Sequence, residues 1–114
     1  MLKRFLLIMM FYECQQSAEK ILKSYLHYMG EMPWGHELTA LRLKCVLYDN
    51  CFNDARLISH CEFLEQFNAA KYADFNQDLD AQIAKRAINS AKKVYNFSAR
   101  KMGLGDYIKD SFIL

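Results

Sequence analysis

Residues 11–30 read FYECQQSAEKILKSYLHYMG, and the spacing of their apolar members sets the architecture. Phe11, Cys14, Ala18, Ile21, Leu22, Tyr25 and Met29 recur at three- and four-residue steps, which puts them on one stripe of an α-helix. That helix starts near Leu2 and stops at Gly30, where glycine can take the left-handed conformation that closes a helix and Pro33 hinders continuation. Residues 31–36, EMPWGH, then read as a connection.

Upstream, Lys3 and Arg4 precede an apolar run from Phe5 to Tyr12, as they would in a secretory leader ending at Cys14. The run is eight residues long, far short of the roughly twenty that span a bilayer, and Phe11, Tyr12 and Glu13 fit poorly into a peptidase pocket that takes small residues. Its register with Ala18 and Ile21 makes it part of the same helix. No membrane segment is expected, and the setting is read as cytoplasmic.

Downstream, Leu38, Leu41, Cys45, Tyr48 and Phe52 give a second helix over 37–52. Asn53 or Asp54 can cap a third, carried by Ile58, Cys61, Leu64 and Phe67 to about Ala70 or Tyr72. Asp78 or Asp80 suits the positive start of a fourth, with Ile83, Ala87, Ala91, Val94 and Ser98 inward and Gly103 and Gly105 ending it. The last residues, with Tyr107, Ile108, Phe112, Ile113 and Leu114, are apolar enough to pack on the bundle or on a partner. With 114 residues, 53% hydrophobic, one proline and four glycines, the expectation is an all-α, antiparallel helical bundle of about four main helices, one domain over residues 1–114.

The four cysteines, Cys14, Cys45, Cys51 and Cys61, lack C-x-x-C spacing and paired histidines, so they read as reduced thiols rather than as metal ligands. Neither a metal nor a cofactor is expected. Charge is uneven: residues 31–80 sum to −5 and residues 81–114 to +5, the latter through Lys85, Arg86, Lys92, Lys93, Arg100, Lys101 and Lys109. Such an end is a solvated helix face or a nucleic-acid surface. On the polar side of the first helix, Gln15, Glu19 and Lys23 stand four residues apart beside Gln16 and Lys20. The row either binds phosphate or base edges or is a solvated face with an ordinary Glu19–Lys23 pair. His60 and Cys61 are adjacent, about a hundred degrees apart on a helix, and so do not form a nucleophile–base pair.

Gln16, Ala18, Glu19, Lys20, Leu22 and Lys23, followed by Gly35, His36 and Leu38, make a Q-x-A-E-K-x-L-K helix and a G-H-x-L loop that resemble the signature of HEPN domains, which are small helical bundles. CEFLEQFNAAKYADF resembles the helix of that family ending in an R-Y-P-D-like turn, and the stretch Ala87–Phe97 resembles its last helix. The resemblance implies a further helix ahead of the Q-x-A-E-K one, whereas this sequence begins at or just before the latter. At about 25 cal/mol per Å², a few hundred Å² of apolar surface left wet would cost as much as a whole domain's stability. Dimerisation, a partner or an earlier start would cover it.

Many members resemble metal-independent ribonucleases with an R-x(4–6)-H motif. The nearest approach here is Arg56 and His60, one residue too close, and Lys71, Tyr72, Ala73 and Asp74 replace R-Y-P-D, keeping charge but losing bidentate geometry. The resemblance therefore implies a noncatalytic nucleotide- or RNA-binding module, a homodimer that acts with a minimal nucleotidyltransferase in a toxin–antitoxin-like pair. Its ligand residues would be Gln15, Glu19, Lys20, Lys23, His36, Lys71 and Tyr72. Alternatives are a metal-independent endoribonuclease using Arg56 and His60 as catalytic residues, and a purely structural interaction or dimerisation module.

Overall fold

A computed structural model describes residues 2–67 and 80–104, with side chains from Phe5 onward. Lys71, Tyr72 and the apolar C-terminal residues lie outside the described residues. Helix α1 spans Leu2–Tyr28. Phe11, Cys14, Ala18, Ile21, Leu22, Tyr25 and Leu26 line its buried stripe, as the three- and four-residue steps require. The helix closes by the glycine route: Gly30 has φ +96, its N–H reaches His27 O, and Glu31 N–H reaches Leu26 O. Toward its start, Leu7 and Met10 pack against the core, while Phe5, Leu6 and Met9 are exposed.

The connection after Tyr28 is a strap that doubles back along α1. Gln15 Nε2 donates to His36 O at 3.4 Å, so α2, Leu38–Val46, begins beside the middle of α1. It then runs toward the end of α1, where the Cys45 thiol meets Leu22 O. Trp34 stands 77% exposed on the strap, with the Lys44 ammonium 5.0 Å from its ring centre. No side chain at Glu37 caps α2; Glu65, from the next helix, accepts from Thr39 N–H instead.

Helix α2 stops six residues short of the expected end at Phe52. The chain turns at Leu47–Asp49 and re-enters as a 3-10 turn, Asn50–Asn53, which Asp49 caps by accepting from Cys51 N–H. Two forces explain the break. Asp49, Asn50 and Asn53 offer the backbone local hydrogen bonds that compete with a helix. The turn also drops Phe52 between Tyr25 and Phe97, at centroid distances of 4.6 and 5.0 Å, and buried Arg42 fixes it by donating to Phe52 O at 3.1 Å.

Helix α3, Ala55–Glu65, is capped by Asp54, whose carboxylate accepts from Arg56 and Leu57 N–H. It ends before Ala70, in a turn that seats Phe67 against Phe11, with rings stacked at 4.6 Å. Its start faces Phe97 and its end faces Phe11 and Arg86, so it runs antiparallel to α1 and to the last described helix. That helix, α4, Ala81–Lys101, is capped by Asp80. Its inner face is mostly small, Ala84, Ala87, Ser90, Ala91 and Ser98 around Val94, which lets it lie close along α1. Ile83, expected inside, is half-buried beside Ala84. No helix among the described residues is long and apolar enough to cross a membrane.

Cys14, Cys45 and Cys61 are buried and Cys51 is exposed, all as free thiols. Burial pushes the three buried thiols up to about 12, so neither access nor thiolate character favours reaction. A disulfide reagent added to the native protein is expected to modify Cys51 promptly and the other three only after denaturation; rapid labelling of a second thiol would contradict this packing.

Candidate functional site

The polar row of α1 is not a solvated face. Gln15 is fully buried and Glu19 is 4% exposed, because the returning strap covers them. Burial raises the Glu19 carboxyl pKa, and hydrogen bonds and charge from Lys23 and His36 more than offset it, so the group sits below the ordinary glutamate value. Lys23 Nζ and His36 Nδ1 each lie 2.9 Å from Glu19 Oε2. Gln16 Nε2 meets Gln15 Oε1 at 2.8 Å and Glu19 Oε1 at 3.3 Å. Gln15, Glu19, Lys23 and His36 thus form one cluster whose polar atoms largely satisfy one another and tie the strap to α1. The His36 side chain, 76% exposed, is the most open to solvent of the four.

Lys20 does not join them. It lies on the α4 side of α1, lining a groove of about 310 Å³ with Glu13, Gln16 and Tyr95. Lys71 and Tyr72 fall outside the described residues.

Arg56 and His60 stand one turn apart on α3 and line a cavity of about 280 Å³ between α3 and α4, with Asp54, Lys93, Phe97 and Arg100. The one carboxylate among these, Asp54, accepts the first N–H groups of α3 at 2.8 and 3.0 Å. His60 Nδ1 is 2.9 Å from Ser90 Oγ, which orients the ring. Burial first, then the charges of Lys93 and Arg86, hold the imidazole below the ordinary histidine range, with Asp54 opposing. Three cations and a neutral imidazole in a concave site can receive a phosphate. Sequence reasoning had Arg56 and His60 as a pair and Lys93 and Arg100 only as part of a basic end. What it lacked was the pairing of α3 with α4. Among the described residues, no three His, Cys, Asp or Glu side chains converge as a metal site.

No curated protein and no solved structure matches the chain at a significant level. The sequence model of the HEPN domain, by contrast, matches residues 4–102, nearly the whole chain. That span takes in nearly all of α1, the strap, α2, α3 and α4, and the chain belongs to the HEPN domain family.

Proposed function

We propose that this HEPN domain is a noncatalytic module that binds the phosphate of a nucleotide or an RNA between α3 and α4. The observation that carries the reading is the cation-lined cavity itself: Arg56, Lys93 and Arg100 surround it, and its one carboxylate is engaged in capping α3. The α1 cluster then serves as a structural clasp beside the site, because Glu19 neutralises Lys23. In the cell the module acts in the cytoplasm as a homodimer beside a minimal nucleotidyltransferase, in a toxin–antitoxin-like pair. The exposed Phe5, Leu6 and Met9 support self-association.

Calorimetric titration with AMP and UMP at low salt tests the site. The double variant Arg56→Gln plus Lys93→Gln is expected to bind at least about tenfold more weakly, from two lost charge-assisted contacts. Absence of binding by the unaltered protein would refute the reading. Loss on Lys20→Ala plus Lys23→Ala, with the α3–α4 variant unaffected, would move the ligand to α1.

A second reading, metal-independent endoribonuclease, is favoured by one observation: the imidazole of His60, held neutral, lines the same cavity as Arg56, as a general base requires. It demands RNA cleavage in chelator, cyclic-phosphate ends and loss of both in His60→Ala.

A further inference from the structure

Arg86, Lys93 and Arg100 are seven residues apart on α4, and all three are exposed. Seven residues fall only about 20° short of two helical turns, so the three cations form one straight row. Each step rises about 10.5 Å, and the row covers about 21 Å. Gln82, Asn89 and Asn96 repeat at the same interval and make a parallel row of amides beside it.

The row is not the usual mixed face of a solvated helix. Ala81–Lys101 contains six lysines and arginines and no acidic residue, so no Glu–Lys pair at i, i+4 relieves the repulsion. Two of the three cations line the α3–α4 cavity, with Phe97 between them. The third, Arg86, lies beyond the cavity with its guanidinium 4.0 Å from the centre of the Phe63 ring, which holds it in place.

We infer that α4 is a track for a single-stranded polynucleotide, whose phosphates follow Arg100, Lys93 and Arg86 while its bases meet the amide row. The inference rests on the phosphate reading of the cavity and goes beyond it, since the row is longer than a mononucleotide can reach. A row of cations that tracks the backbone is the electrostatic half of strand binding without sequence preference. The α3 groups facing the track are Arg56, which adds to its positive potential, the neutral imidazole of His60, and the capping carboxylate of Asp54.

The test is fluorescence anisotropy with labelled oligouridylates, from dinucleotide to octanucleotide, across a salt series. Affinity is expected to rise about tenfold or more from dinucleotide to hexanucleotide and then level off, with a log–log salt slope near −2 for three neutralised phosphates. Arg86→Gln is expected to abolish that gain with length and reduce the slope by about 0.7. Lys44→Gln, an equal charge loss on α2, is the control. Oligothymidylates run in parallel: tight binding by either series supports the track, and their ratio assigns RNA or DNA as its source. Dinucleotide binding with no gain on lengthening, or an Arg86→Gln variant with unaltered slope, would overturn the track and leave the cavity reading standing. Equal affinity for duplex RNA or for polyglutamate would overturn it as well. If neither dinucleotide nor any oligomer binds, the cavity reading falls with it.

Discussion

Phe52→Ala is expected to lower the unfolding free energy by about 3–5 kcal/mol, the range for a large aromatic removed from a core. Phe52 is fully buried and joins parts of the bundle distant in sequence, touching Tyr25 of α1 and Phe97 of α4. Each aromatic pair adds roughly 0.5–1.5 kcal/mol beyond burial, and both are lost together. The turn that carries Phe52 is bound at its backbone by Arg42 and cannot simply slide to close the void. Against a total of about 5–15 kcal/mol for an ordinary domain, the variant stands near the threshold of folding. Urea unfolding followed by circular dichroism measures the loss, and Phe52→Leu, which refills much of the volume, is expected to recover most of it. A loss below about 1 kcal/mol for the alanine variant would mean that the turn is not part of the core.

Glu19→Ala is expected to cost about 1.5–3 kcal/mol, the scale of charge-assisted hydrogen bonds in a covered site. The Glu19 carboxylate binds Lys23 and His36 together, so its removal frees the strap from α1 at the level where α2 begins. The same group makes stability depend on acid. Its folded pKa is depressed; its contribution is therefore complete above the ordinary glutamate value of about 4.3, and it is lost as pH falls through the folded pKa. The unaltered protein should lose this increment on acidification, whereas Glu19→Gln should start lower at neutral pH and lack the same titration. Parallel acid profiles for the two proteins would show that Glu19 does not anchor the strap.

The parts of the fold legible in the sequence were those whose determinants are local. The α1 stripe, the Gly30 stop and the caps at Asp54 and Asp80 each follow from a few neighbouring residues. The break after Val46 does not, because Cys45 and Phe52 lie seven apart and satisfy a continuous helical stripe equally well. Only the cleft between Tyr25 and Phe97, made by two other helices, draws Phe52 into a 3-10 turn. The site divides similarly. The alignment of Glu19 with Lys23 is helical spacing, but their burial comes from the strap, whose backward course has no periodic signal. Arg56 and His60 are neighbours on one helix; Lys93 and Arg100 join them only through the packing of α4 on α3.

The strap also gives the protein an optical reporter. Trp34 is its one tryptophan, held in solvent over Lys44 rather than among the aromatics of the core. Its emission therefore reads the attachment of the strap to α2, while helical ellipticity reads the bundle. The two signals separate local release of the strap from global unfolding without any added label.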